Sequence, residues 1–186
     1  MTTVFEIEKT LAVKRKRFST NEFQEMVKAG ILPEEHGWEV IDGFLMDKMS
    51  IGDKHAAAVN RLNRVFNHRF SEGLLVSVQN PIHLDDYNDP EPGITLLKFR
   101  DDFYVGQTPT PSDVLLLIEV SDSTIEYDRE IKKKLYAEFE IQEYWIVNLK
   151  DNFVETFSQP KNGSYRLAKI LESDETVKST VINGLE

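Results

Sequence analysis

Apolar residues form a run of strand length from Val114 to Val120, interrupted only by the carboxylate of Glu119. A strand that is apolar on both faces is typical of the middle of a sheet that is covered on both sides. A charged side chain in such a strand is costly unless a cation or a hydrogen-bond donor meets it. Glu119 is therefore the first candidate for a functional residue.

A helix is predicted directly after this strand. Hydroxyl side chains suited to capping its first turn precede it, and the helical pattern continues to about Phe139. On a helical projection, each residue advances by about 100 degrees around the helix axis. If Asp128 is set at zero degrees, the apolar residues within about 60 degrees of Asp128 form the predicted buried stripe. The candidate caps are Ser121, Ser123 and Thr124, and the stripe residues are Ile131, Leu135 and Phe139.

Lys132 lies on the same predicted helix face as Asp128, and Tyr136 lies beside that face, whereas Lys133 and Lys134 point towards solvent. Spacing alone leaves two interpretations of Lys132 open. Asp128 and Lys132 can form an i, i+4 pair that stabilises the helix by a few tenths of a kcal/mol. Alternatively, Lys132 is directed at Glu119, which would make this helix part of a functional site.

The remaining pattern predicts two further helices and several short strands. Capping-box spacing from Ser19 to Glu22 predicts a helix that ends at Gly30, and Asp53 can cap a second helix that reaches about Phe70. The predicted strands are 38–41 and 44–46, joined by an Asp42-Gly43 turn, and then 74–78, 82–84, 94–97, 144–147, 153–157 and 165–170. With residues 1–17 as a tail, this order predicts one α/β domain over residues 18–186, in which helices flank a mixed sheet.

Two further polar side chains fall on predicted buried faces. Glu39 shares a strand face with Ile41, and that face can point inward. His55 begins the buried stripe of the second long helix, where a hydrogen-bonded structural histidine is more common than a ligand or a base. Arg61 and Arg64 lie on the opposite face of this helix, which is most simply a solvated surface and alternatively part of a flank that faces DNA.

Composition limits the classes of function. The 186 residues are 40% hydrophobic and 29% charged, as in ordinary globular proteins, and the absence of cysteine excludes disulfides, thiolate chemistry and cysteine-ligated metals. No apolar run approaches the roughly 18 residues of a membrane span and no signal-peptide pattern is present, so we expect a cytoplasmic location. The net charge of −10 counts against tight DNA binding by the protein alone, although divalent cations could supply local positive charge.

The chain also resembles a known family. It resembles the Uma-two family, a large bacterial group of restriction-endonuclease-like proteins in the PD-(D/E)XK nuclease superfamily. The resemblance extends from about Phe18 to about Phe157 and rests on the order and spacing of several segments. The matching positions are Glu39–Gly43, residues 49–62, Pro90–Pro92, Leu117–Val120, Ser123–Thr124, Asp128, Lys132, Tyr136 and Glu143–Trp145.

The resemblance implies a sheet-centred nuclease core that uses Mg²⁺ or Mn²⁺ to hydrolyse phosphodiester bonds in DNA, in a chain that forms a homodimer. Glu119 matches the glutamate that holds the metal. Lys132 matches a helix lysine that takes over the role of the superfamily lysine, and Asp128 would fix the position and charge state of Lys132. Glu39 and His55 match recurrent polar positions near the same site.

One position departs from the family. Where the family has a metal-binding aspartate after a proline, this sequence has Pro92-Gly93. Glu91 lies about 6.6 Å from that position along an extended strand and would partly compensate. The predicted metal ligands are therefore Glu119, Glu39 and Glu91. Gly93 and the acidic surface leave two alternatives open: a catalytically inactive nuclease fold that binds DNA or a protein, and a purely protein-binding module.

Overall fold

The computed structural model describes residues 15–33, 37–48, 52–70 and 73–185. It divides into two compact units, Met1–Lys48 with Asp85–Asp89, and Met49–Leu84 with Pro90–Glu186. Most of the predicted tail, residues 1–14, lies outside the described residues. Within the described ranges, no helix combines the length and the apolarity that a membrane span requires.

The first unit contains helix α1, Thr20–Lys28, and an antiparallel hairpin of β1, Gly37–Ile41, and β2, Phe44–Lys48. The predicted capping box is confirmed, because the Ser19 hydroxyl accepts the Glu22 N–H at 3.2 Å and the Glu22 carboxylate accepts the Ser19 N–H at 2.8 Å. Asp42 and Gly43 form the hairpin turn with φ values of 52° and 73°. Positive φ at both central residues is what a two-residue primed turn requires, and it explains the Asp-Gly pair.

The second unit is built on a six-stranded sheet whose strands follow one another in chain order. Only β5 and β6 pair in parallel, and all other neighbouring strands are antiparallel, so the predicted mixed sheet is confirmed. The apolar run around Glu119 forms the third strand of the six, as its burial pattern predicts. The strands are β3, Leu74–Val78; β4, Ile94–Lys98; β5, Val114–Ser121; β6, Glu143–Asn148; β7, Phe153–Lys161; and β8, Ser164–Leu171.

Two long helical segments cover this sheet. Helix α2, Asp53–Arg69, begins after Gly52, so Asp53 is the first helical residue rather than the predicted cap. The predicted helix after β5 is present as α3, which has three parts: Ile125–Tyr127 and Lys133–Glu138 are α-helical, and Asp128–Lys132 is a π turn. The backbone N–H of Lys133 bonds to the carbonyl of Asp128, five residues back, which defines this turn.

The two faces of the sheet have different partners. The α2 face carries apolar side chains such as Leu96, Ile118 and Trp145, which form one core with α2 and the C-terminal segment. The α3 face is the opposite one and carries Glu119 and Tyr144, because side chains alternate along each strand. The Tyr144 ring contacts Tyr136 of α3 with the ring centres 5.0 Å apart.

The predicted strand at residues 82–84 is wrong. Ile82 and Leu84 are buried, as the apolar pattern implies, but the segment joins no ladder. The Ile82 N–H donates to the carbonyl of Pro90, and the His83 N–H donates to the carbonyl of Pro109. Pro81 and the surrounding loop residues thus place the segment in irregular structure. Its apolar residues are buried there without pairing in a sheet, and this is why the apolar pattern alone predicted a strand.

Candidate active site

Glu119 lies in the middle of the sheet and points to the α3 face, with only 6% of its surface exposed. Its Oε1 atom accepts hydrogen bonds from the Nζ of Lys132 and from the hydroxyl of Tyr136, both at 2.9 Å. Its Oε2 atom accepts the backbone N–H of Gly93 at 3.1 Å. A cation, a phenol and an amide therefore compensate the burial of this carboxylate. We call these four residues the Glu119 cluster.

The π turn explains why Lys132 reaches this cluster. A π turn advances each residue by less than the α-helical 100 degrees, so the residues after Asp128 lag behind the predicted projection. Lys132 is 4% exposed and faces the sheet, whereas Ile131 is 45% exposed. The prediction that Ile131 lies on the buried stripe is therefore wrong. Tyr136 follows Lys132 by four residues, which places it on the same side of α3.

Asp128 lies beside this cluster and is also buried. Its Oδ2 atom accepts hydrogen bonds from the hydroxyls of Ser121 at 2.7 Å and Thr124 at 2.9 Å. Burial, and secondarily the negative charge of Glu119, raises the pKa of Asp128 from 3.8 to about 7, against the opposing effects of Lys132 and the two hydroxyls. A carboxyl group with this pKa can both give and take a proton near neutral pH.

We expect the replacement Asp128→Asn to flatten the pH dependence of stability. The pKa of Asp128 is about 7 in the folded state and lower in the unfolded state. At pH values between these two pKa values, the folded protein therefore binds more protons than the unfolded chain. The stabilising contribution is complete below the unfolded pKa and is lost as the pH rises through about 7, with an upper limit of about 4 kcal/mol. The asparagine has no proton to lose, so the variant should be close to wild type in acid and more stable above neutrality.

Urea unfolding across this pH range measures the effect of Asp128→Asn. Asp122→Asn is the matched control, because Asp122 is an exposed aspartate between β5 and α3. Its free energy of unfolding should follow that of wild type at every pH. If the free energy of unfolding of Asp128→Asn depends on pH in the same way as that of the wild type, the result would contradict the raised pKa of Asp128.

The structure places the other predicted site residues on separate elements. Glu39 lies in β1 of the first unit and is buried on the same strand face as Ile41, as predicted. His55 is half-buried in the first turn of α2 in the second unit. Glu91 lies in the irregular segment before β4, because that strand begins only at Ile94. Participation of Glu39, His55 and Glu91 in the site stays a prediction.

Two members of the Glu119 cluster were not predicted as site residues. Tyr136 falls beside the predicted stripe, and its i, i+4 spacing from Lys132 is the sequence signal that points to it. The N–H of Gly93 comes from the backbone, so no side-chain pattern could indicate it. Ser121 and Thr124 were predicted as helix caps, and Thr124 is the N-cap by position, yet both hydroxyls bind Asp128.

The donor chemistry of the cluster determines whether a divalent ion fits it. Among the residues that the structure describes, no group of three or more acidic or histidine side chains is arranged to hold a metal ion. An ionised carboxylate has about four acceptor positions, and the three bonds to Glu119 leave one on Oε2. Magnesium is commonly held through one or two carboxylates, with waters and substrate phosphates completing its shell. Glu119 alone therefore meets the lower limit for a divalent ion.

Gly93 directly precedes β4 and lies against β5. It does not have the positive φ that requires glycine, so its backbone conformation is open to other residues. A Cβ atom at Gly93 would lie 3.3 Å from the carbonyl oxygen of Ile118 and 3.5 Å from the nitrogen of Val120. The 3.3 Å separation is a tight contact, so an aspartate at this position requires the backbone of β5 at Ile118 to move by a few tenths of an ångström.

Comparisons with known proteins agree with this fold. A family model described as "Uma2: Putative restriction endonuclease" matches residues 20–186. The crystal structure of a "putative nuclease belonging to DUF820" from Anabaena variabilis is similar, with a TM-score of 0.66 and 16% sequence identity, over 87% of this chain and 89% of that chain. At this identity the likeness shows a shared fold. No curated protein matches the chain.

Proposed function

Because this chain belongs to the Uma2 family of restriction-endonuclease-like proteins, we propose that it hydrolyses phosphodiester bonds in DNA at the Glu119 cluster. The observation that carries the proposal is the buried 2.9 Å contact between Glu119 of β5 and Lys132 of α3. An ion pair in a protein interior contributes little net stability compared with apolar residues of the same size. Its presence beside a carboxyl group of raised pKa is typical of a catalytic site.

Each residue of the site has a proposed role. When bound, a divalent ion would polarise the phosphate and lower the pKa of a bound water. Glu119 is the carboxylate that would hold the ion, with waters and the substrate phosphate completing its coordination shell. Lys132 would place a positive charge beside the phosphate as negative charge develops there. Asp128, with a pKa of about 7, would accept or return a proton at neutral pH.

We expect Glu119→Gln to lower the nicking of supercoiled plasmid DNA by at least about a hundredfold in the presence of Mg²⁺ or Mn²⁺, because the neutral amide cannot replace the carboxylate. Agarose electrophoresis measures the nicked fraction, with circular dichroism to confirm that the variant is folded. The control is Glu138→Gln, which removes a carboxylate from the exposed side of α3 and should nick at the wild-type rate. Equal nicking by wild type and Glu119→Gln in matched preparations would remove the proposal.

A second candidate is a nuclease fold that binds DNA or a protein without cleaving DNA, and Gly93 is the observation that favours it. In that case, calorimetric titration with Mn²⁺ should give the same heats for wild type and for Glu119→Gln. Gly93→Asp should then create measurable Mn²⁺ affinity, because it adds a second carboxylate beside Glu119. Mn²⁺ binding to the wild type above the Glu119→Gln background would contradict this candidate.

A further inference from the structure

A pocket of about 420 Å³ lies in the second unit, between the start of the sheet and the loop that follows β4. Its volume is within the range of small-molecule sites, about 300–1,000 Å³. Its lining combines aliphatic, aromatic and amide side chains. The lining residues include Leu75, Ser77, Asn80, Leu97, Phe103 and Gln107.

This pocket lies on the α3 face, the same face as Glu119. Leu117 precedes Glu119 by two positions on β5, so both side chains lie on the same face, and Leu117 pairs with Thr95 of β4. Thr95 pairs with Ser77, and Leu97 pairs with Leu75, so the strand floor of the pocket shares their side of the sheet. From Gly93, whose N–H binds Glu119, to Leu97 in the floor of the pocket is four residues of extended chain, roughly 13 Å.

An exposed aromatic ring stands at the rim of the pocket. Phe103 is 61% exposed, and its ring packs edge-on against Phe99. Phe103 and Tyr104 have φ values of 50° and 61°, which are outliers for aromatic residues. The Tyr104 hydroxyl donates to the carbonyl of Lys98 at 2.8 Å, and the Arg100 guanidinium lies over the Tyr104 ring. The loop is therefore held in a strained conformation that presents the Phe103 ring, and such strain clusters at ligand-binding sites.

The polar groups of the pocket include both an acceptor and a donor. The amide nitrogen of Asn80 donates to Ser77 and to the carbonyl of Val78, which leaves the Oδ1 atom of Asn80 as an acceptor. The Oε1 atom of Gln107 accepts from Arg100, which leaves its amide nitrogen as a donor. A donor and an acceptor that line the same pocket match the mixed edge of a nucleobase. A phosphate would instead need a cation, and Arg100 is already paired with Asp102.

We propose that this pocket binds one unpaired nucleobase of the DNA strand that is cleaved, with Phe103 as the stacking surface and Asn80 and Gln107 at the base edge. The inference rests on the proposed nuclease function and adds a substrate contact roughly 13 Å along the sheet from Glu119. Stacking on an aromatic ring is tolerant of base identity, so the pocket would favour unpaired strands more than particular sequences.

The test is the binding of a short single-stranded DNA oligonucleotide with phosphorothioate linkages, which resist cleavage, measured by fluorescence anisotropy in Mg²⁺. A second oligonucleotide of the same length has abasic residues throughout and keeps every phosphate. We expect Phe103→Ala to weaken binding of the normal oligonucleotide roughly five- to 150-fold and to leave binding of the abasic one unchanged. Phe103→Trp, which keeps a ring, should retain wild-type affinity. Val105→Ala is the control, because Val105 is 81% exposed in the same loop.

The outcomes separate this inference from the proposed function. Unchanged affinity in Phe103→Ala, or equal weakening for both oligonucleotides, overturns the base pocket. If the wild type still nicks plasmid DNA in a Glu119-dependent manner, the proposed function survives that result. A wild-type protein that neither binds nor nicks DNA overturns both.

Discussion

Replacing Lys132 with methionine is expected to destabilise the protein by about 3–5 kcal/mol, because the carboxylate of Glu119 would stay buried without its cation. Both side chains are almost fully enclosed, and their closest atoms are 2.9 Å apart. Methionine has a similar length to lysine, so the decrease in stability would reflect the lost charge rather than lost packing. Urea unfolding at neutral pH measures the free energy of unfolding of the variant and of the wild type.

The double variant Glu119→Gln/Lys132→Met separates the pair from its individual members. With both charges removed, the decrease in the free energy of unfolding should be much smaller than the sum of the decreases in the two single variants. The reason is that the double variant has no uncompensated buried charge. Lys134→Met/Glu138→Gln is the matched control on the same helix, since this i, i+4 pair is largely exposed and its atoms are 3.8 Å apart. The double-mutant cycle of Lys134 and Glu138 should give a coupling free energy below about 1 kcal/mol. Additive losses for Glu119 and Lys132 would show that the contact has no energetic coupling.

Replacing Glu143 with alanine is the second large effect that we expect. Glu143 is 1% exposed, and its carboxylate accepts hydrogen bonds from the Trp145 indole, the Ser179 hydroxyl and the backbone N–H groups of Thr180 and Val181. The Trp145 indole is the buried donor of this set, and leaving it unsatisfied costs about 1–3 kcal/mol, whereas Thr180 and Val181 are exposed residues whose N–H groups can bind water instead. A decrease of about 1–3 kcal/mol in the free energy of unfolding should therefore follow.

The same replacement should release the C-terminal segment. Val177, Ile182 and Leu185 pack on the core of the α2 face, and the bonds to Glu143 hold the turn between them. We expect hydrogen exchange at Thr180 and Val181 to accelerate more in Glu143→Ala than exchange in β5 does. Glu130→Ala, an exposed glutamate in α3, is the control and should change neither stability nor exchange. Unchanged exchange at these two amides would show that Glu143 is not the anchor.

Local patterns predicted much of the fold because their signals span only a few residues. Ser19 and Glu22 are three residues apart, and Asp42-Gly43 is a two-residue turn, so each carries its structure in a short segment. The errors arose where the same local signal has two outcomes. Ile82 is apolar and buried without being in a strand, and Ile131 follows a helical period that the π turn interrupts.

The candidate site was predictable only in part. The cost of a carboxylate in an apolar strand identified Glu119, and helical spacing identified Lys132 as a residue that can face the protein. Spacing could not choose between Asp128 and Glu119 as the partner of Lys132. The contacts that compensate Glu119 come from residues 13, 17 and 26 positions away in the sequence, which no local period relates to one another.

The sequence by itself determined the central strand, the Asp42-Gly43 turn, the capping box at Ser19 and the membership of a nuclease-like family, since these depend on residue type at short range. Only the tertiary structure decided that Lys132 meets Glu119, that Asp128 is buried enough for its pKa to reach about 7, and that Glu143 holds the C-terminal segment. The physical reason is that burial and partner distance set the energy of a charge, and both arise only when distant segments pack together.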